Sequence, residues 1–258
     1  MHFTPVEIAR LILVLTVEGL VCGMAWWRGL YTRLPIFTAY LSAVVLSDLL
    51  RFATIYTLGP RSKQEFIVYW VTELILVLLR AGVVYELCAQ LLQGYPGVWR
   101  LCLMVLFLAA LTLAAVSLFD AMHQGPRIAR LFLTLERGME LEVLGVLIVV
   151  ASFCRYYRVP VDRLIGLVIV GLSLYSAIAI VNDTFASHWF DPLRLVWAEV
   201  RADSFIVSEI IWMVALWKPL ERRQGFPVLL DSGVYSKMTP VLSFRLRQLN
   251  ERLEEILR

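Results

Sequence analysis

The chain has 258 residues, 60% hydrophobic and 17% charged, with a mean hydropathy of +0.74. A soluble domain is about half apolar and about a quarter charged, so this composition excludes an ordinary soluble fold and points to an integral membrane protein. The net charge of +3 carries no basic run with interleaved aromatics, which excludes a nucleic-acid surface.

A bilayer crossing needs about 20 mostly apolar residues. Seven stretches qualify in chain order, near 6–27, 34–57, 66–92, 98–119, 130–154, 162–184 and 196–218. Span 1 carries Glu18. It lacks a basic leader and a small-x-small cleavage site before "AWWRG", so it reads as an uncleaved span. Span 2 carries Asp48 and Arg51 at i and i+3, placed to neutralise each other. Span 3 carries Glu73 and Arg80 seven residues apart, two turns along one helix face, and Glu86 nearer its end. Span 4 follows the turn "QGYPG". Span 5 opens with "LERGMELE", which sets Glu136 and Glu140 on one face beside Arg137. Span 6 ends near Asp183. Span 7 opens with "AEVRADS", which sets Glu199 and Asp203 at i and i+4 with Arg201 between them, and continues to Glu209.

Turn residues mark the breaks, as in "RGLYTRLP", "LGPRSK", "HQGPR", "YYRVPVDR" and "SHWFDP". Backbone groups in lipid must be satisfied within each segment, so the spans are predicted helices. The alternating pattern of a membrane barrel is absent. The expected fold is therefore an all-α integral membrane bundle of seven transmembrane helices over residues 1–218.

Orientation follows the flanking cations. Arg28, Arg33, Arg100, Arg155, Arg158, Arg163, Lys218, Arg222 and Arg223 fall on one side. Arg10, Arg61, Lys63, Arg127, Arg130 and Arg194 fall on the other. The bias places the N-terminus outside and the tail in the cytoplasm of a plasma (cytoplasmic) membrane, multi-pass. Most tryptophans stand near span ends, as an interfacial belt requires, with Trp212 the exception. Cys22, Cys88, Cys102 and Cys154 fall in inner halves, one per segment, with no C-x-x-C pair, and read as small packing residues.

Residues 219–238 read as a linker. Over 239–258, Leu242, Leu246, Leu249, Leu253 and Ile256 recur at heptad spacing among Arg and Glu. The run is short of an outright coiled coil. It reads equally as an amphipathic helix on the bilayer or bundle, and as a homodimer seam or docking helix for a cytoplasmic partner.

Ionisable residues inside spans are costly and by default mark functional sites. With the N-terminus outside, Asp48, Arg51, Glu73, Glu136, Arg137, Glu140, Asp183, Glu199, Arg201 and Asp203 are expected to line one outward-facing vestibule; Arg80 lies deeper, and Glu209 belongs to the same ligand- or ion-binding set. Acids outnumber bases, which favours protons or a small cationic ligand over an anion. The competing view is that the starts of spans 5 and 7 are ordinary acidic first turns in water. Charge pairs also serve as packing devices without a ligand.

A repeat is suggested by "YLSAVVLSD" and "YSAIAIVND", with Tyr40 and Tyr175 eight residues before Asp48 and Asp183. It continues in "VTELILVLLR" and "VSEIIWMVAL", with Glu73 and Glu209 at the same offset. Arg80 has no counterpart, since Leu216 takes its place. Parallel three-helix repeats of this kind occur in some transporters.

No lysine stands mid-span 7 to hold retinal, no Pro-Gln motif marks a sugar carrier, and no histidine lies deep enough for a seven-span zinc hydrolase. No nucleophile–base or metal constellation is visible, so neither an enzyme nor a cofactor is expected. The leading expectation is a receptor-like or sensory membrane protein that binds a small cationic ligand or protons and signals through its cytoplasmic helix. The alternative is a small secondary transporter or channel for a cation, proton or small solute.

Overall fold

A computed structural model describes residues 5–59, 62–92, 95–123, 128–156, 159, 161–188 and 191–218, with 248, 251, 252 and 255 of the tail. Side chains are described for the same residues except 5–9, 96, 109–110, 113–114, 116–123, 128–136, 183–199 and 201–202. Within these residues the chain is all-helical. Its long helices are α1 (Pro5–Trp27), α2 (Pro35–Leu58), α3 (Lys63–Leu92), α4 (Pro96–His123), α5 (Ile128–Tyr156), α6 (Arg163–His188) and α7 (Asp191–Trp217). Each contains most of one predicted span. Four helical stretches are long and apolar enough to cross a membrane: Arg10–Trp27, Pro35–Leu58, Lys63–Leu92 and Arg163–Asn182. They suggest a membrane protein. The outward faces agree, since Ile12, Leu13, Leu20, Leu46, Leu49, Leu78, Val149 and Val170 are all exposed, too much apolar surface for water.

Helix starts follow local chemistry. Pro35 occupies the first turn of α2, where its missing N–H costs nothing. Ser62 accepts the Glu65 N–H at 3.1 Å, and Ser62 with Glu65 three residues on is a capping-box sequence. Gly29 adopts the left-handed conformation (φ 69°), which reverses the chain after α1 into a single 3-10 turn, Leu30–Thr32.

The helices pack as a ring in the order α1, α2, α3, α5, α6, α7, with α7 returning to α1 and α4 set against α3 and α5. Neighbours alternate in direction along the chain. Cys22 and Trp26 of α1 meet Ser42 of α2, Glu86 of α3 meets the start of α2, and Trp212 of α7 meets Val168 of α6. The α1–α2, α3–α4 and α5–α6 connections therefore gather at one end, called the proximal end below.

The proximal half holds the apolar core. Leu30, Leu34, Phe37, Leu87, Leu91, Leu147, Val168, Leu172, Trp212 and Leu216 are all buried there. Polar ties close it. Arg33 pairs with Asp162, Gln90 donates to the Arg33 carbonyl, and Arg28 donates to the Trp217 carbonyl at 3.0 Å, satisfying a free carbonyl at the end of α7. Leu34, which precedes α2, supplies no side-chain cap. Instead the Glu86 carboxylate accepts the Ile36 N–H at 3.1 Å and the Phe37 N–H at 2.9 Å. Glu86 is thus explained as a cap borrowed from the neighbouring helix. Glu86→Ala is expected to cost about 1–2 kcal/mol, read from SDS-induced unfolding in mixed micelles by circular dichroism. Glu86→Gln, which keeps one acceptor, loses less.

Candidate functional site

Just distal to the apolar core, ionisable side chains from five helices meet. Arg51, on α2, is the first junction. Its guanidinium lies 2.9 Å from Glu73 Oε2 and 3.9 Å from Asp48 Oδ1. It donates through Nε to Thr72 Oγ1 at 2.9 Å and stands 4.7 Å over the Tyr69 ring. Arg80, on α3, is the second junction. It reaches Glu73 Oε1 at 3.2 Å and pairs with Glu140 of α5. Its guanidinium sits 5.1 Å over the ring of Tyr175 on α6. Glu140 in turn accepts from Ser176 Oγ at 2.6 Å. The result is a continuous chain Asp48–Arg51–Glu73–Arg80–Glu140–Ser176 from α2 to α6.

Burial divides this chain. Arg80 and Glu140 are each 2% exposed and Glu73 8%. Asp48 and Arg51 are half-buried. A charge is tolerable at Arg80's depth only because two carboxylates and an aromatic face surround it.

Two further carboxyls belong to the same level. Glu18 on α1 lies within hydrogen-bonding reach of Asp48, and Glu209 on α7 also neighbours Asp48. Glu18 is 2% exposed and Glu209 1%, and Oε2 of each is buried with no hydrogen-bond partner. Tyr40 of α2 lies among Arg80, Tyr175, Glu140 and Glu209. It packs edge-on against Trp212, which also meets Phe37 and Phe205.

The expected residues therefore separate. Asp48, Arg51, Glu73, Arg80 and Glu140 form one chain, and Glu209 stands beside it. Asp203 does not join: it is exposed and pairs with Arg10 of α1 at 2.7 Å, tying α7 to α1. Arg137 is half-buried and enters none of the ion pairs among the described residues. The side chains of Glu136, Asp183, Glu199 and Arg201 lie outside the described residues, so the distal rim of the expected vestibule does too. So do the linker and the apolar heptad positions of the tail. Gln248, Glu251, Arg252 and Glu255 are helical and exposed.

Glu73 and Glu209 occupy matching places in the two similar stretches, but their partners differ. Glu73 sits between two arginines, while Glu209 sits with Asp48 and Glu18. Leu216, the counterpart of Arg80, is buried in the apolar core. Ser176 and Thr72 are members that composition did not single out. Neutral hydroxyls in apolar helices carry no signal until a charged partner is known.

The cysteines also regroup. Cys88, Cys102 and Cys154, from α3, α4 and α5, come together near the proximal end. Among the described residues no group of three or more His, Cys, Asp or Glu side chains could hold a metal ion. Comparison with family models, curated proteins and solved structures finds no match.

Proposed function

We propose that this chain is a multi-pass membrane protein of receptor-like or sensory type. Seven helices cross the bilayer, with the N-terminus outside and the tail in the cytoplasm. It binds protons or a small cation in its carboxyl-rich centre and passes the change to the cytoplasmic helix at 239–258. One observation carries this reading. Among the described residues, five carboxyls (Glu18, Asp48, Glu73, Glu140 and Glu209) share the bundle's middle with two guanidiniums (Arg51 and Arg80). Such an excess in a low-dielectric interior needs positive charge from elsewhere. The sealed apolar core on the proximal side supports binding from the distal side over a through-going pore.

The test is thermal stability of the full chain in lipid nanodiscs against small organic ammonium compounds, matched anions and a pH series. A ligand that binds only the folded state adds about 2.7 kcal/mol at 100 times its Kd. The expected result is stabilisation by ammonium compounds or by acidification, not by anions, and its loss in Glu209→Gln. No response to cation or proton would count against the reading. So would deletion of 239–258 with no change in oligomeric state or captured partner.

A second reading draws on the unbroken ion-pair chain across the bundle, the kind of relay that proton- and cation-coupled carriers use. Cation or solute flux in liposomes, abolished by Glu73→Gln, would decide for a transporter.

A further inference from the structure

Most carboxyls at this level already have donors. Glu73 has two arginines, Glu140 has Arg80 and Ser176, and Asp48 has Arg51. Glu18 and Glu209 stand apart, each almost wholly buried with an unpartnered oxygen. Among the described residues the groups facing them are few. From α2 come Asp48 and Arg51 toward Glu18, and Asp48 and Tyr40 toward Glu209; α1 and α7 present Glu18 and Glu209 to each other. The only cation among these is Arg51, which is nearer Glu73 than Asp48 by 2.9 Å against 3.9 Å.

We propose that Glu18, Asp48 and Glu209 form a proton-binding site at the α1–α2–α7 seam, and that Arg51 reports its occupancy by dividing itself between Asp48 and Glu73. This rests on the sensory reading above and narrows its ligand to the proton. A divalent metal needs several oxygens converging to about 2.0–2.6 Å of one point, and the described residues offer no such group. A proton needs only two carboxyls in contact. A protonated carboxyl donates one hydrogen bond and its neighbour accepts it, which fits Glu18 against Asp48. On release, the proton passes from the carboxyl oxygen to water, and the seam gains one negative charge. Arg51 then has reason to leave Glu73 for Asp48, and Glu73 is left to Arg80 alone. Two ion pairs at unequal distances on one guanidinium make a two-position element of the kind a ligand can bias.

Acid-minus-alkaline infrared difference spectra of the full chain in nanodiscs test this. The expected spectrum has a protonated-carboxyl band that is lost on raising pH, accompanied by a shift of the arginine guanidinium bands. Glu18→Gln is expected to lose the carboxyl band. Asp48→Asn, at a half-buried position and so cheaper to neutralise, is expected to shift the frequency and the titration of the same band, and reads the seam if Glu18→Gln fails to fold. Glu73→Gln keeps the carboxyl band and loses the guanidinium shift. A band unchanged in the variants that fold, or one carried by Glu140 instead, overturns the seam as the site while the proton-sensing reading stands. No carboxyl band at any pH overturns the seam, and the nanodisc stability screen then judges a small cation separately.

Discussion

Replacing Arg80 with Met is expected to remove most folded protein. Arg80 neutralises Glu73 and Glu140 together, and Arg80 and Glu140 are both buried. Removing one partner of a buried ion pair costs about 3–5 kcal/mol, because the other charge is left uncompensated. Unfolded helices in a membrane also find polar partners, which pulls the loss toward the lower end. Arg80→Lys falls between, since a point charge cannot hold two carboxylates in a fixed fork. Arg80→Met combined with Glu140→Gln should recover part of the loss. Monodisperse yield and SDS-induced unfolding read all three. A stable Arg80→Met protein would mean that the charge chain is dispensable for the fold.

Gly171→Ala is expected to destabilise by about 1–3 kcal/mol, the usual range for overpacking a core. A Cβ at this position of α6 would lie 2.3 Å from Trp212 Nε1 and 2.9 Å from Cε2. The obstacle is a rigid ring that is fully buried, so it cannot swing aside. The same seam holds Ser208 Oγ donating to the Gly171 carbonyl at 2.9 Å. Displacing Trp212 also disturbs its contacts with Phe37 and Tyr40. Gly171→Ala together with Trp212→Phe restores room, and its unfolding should lie closer to wild type than Gly171→Ala alone. The chain has eight tryptophans, so the ring is followed by the difference in tryptophan fluorescence between each protein and its Trp212→Phe counterpart in detergent.

Helices and their starts were legible in the sequence because bilayer-length apolar runs and turn residues are local signals. The distal ends were less so. α6 continues to His188 and α7 begins at Asp191, past the apolar limits read at 184 and 196, because a helix need not stop where its apolar residues do. Within one helix the charge pairing was readable: Glu73 and Arg80 share a face, and they meet. Between helices it was not. Nothing local links Arg51 to Glu73 or Arg80 to Glu140, since those contacts depend on the ring order. That order places α3 beside α5 and leaves α4 to one side. Glu18 shows the same limit. A lone glutamate in a first span resembles many others until Asp48 and Glu209 are seen beside it. Three cysteines spaced one per segment gave no motif, yet three helices carry them to one place.

The ring order also sets a condition on biosynthesis. Of these seven helices α1 is made before the others and α7 after them, yet they are neighbours, joined by Arg10 to Asp203 at one end and Arg28 to Trp217 at the other. On the seven-span reading proposed above, until α7 is in place the flank of α1 that bears Glu18 has α2 beside it but not α7, and the facing side of α6 is also uncovered. A carboxyl left toward lipid costs on the order of a few kcal/mol. Closure of the ring thus depends on translation reaching α7, and a nascent chain halted before residue 191 carries a polar scar on α1.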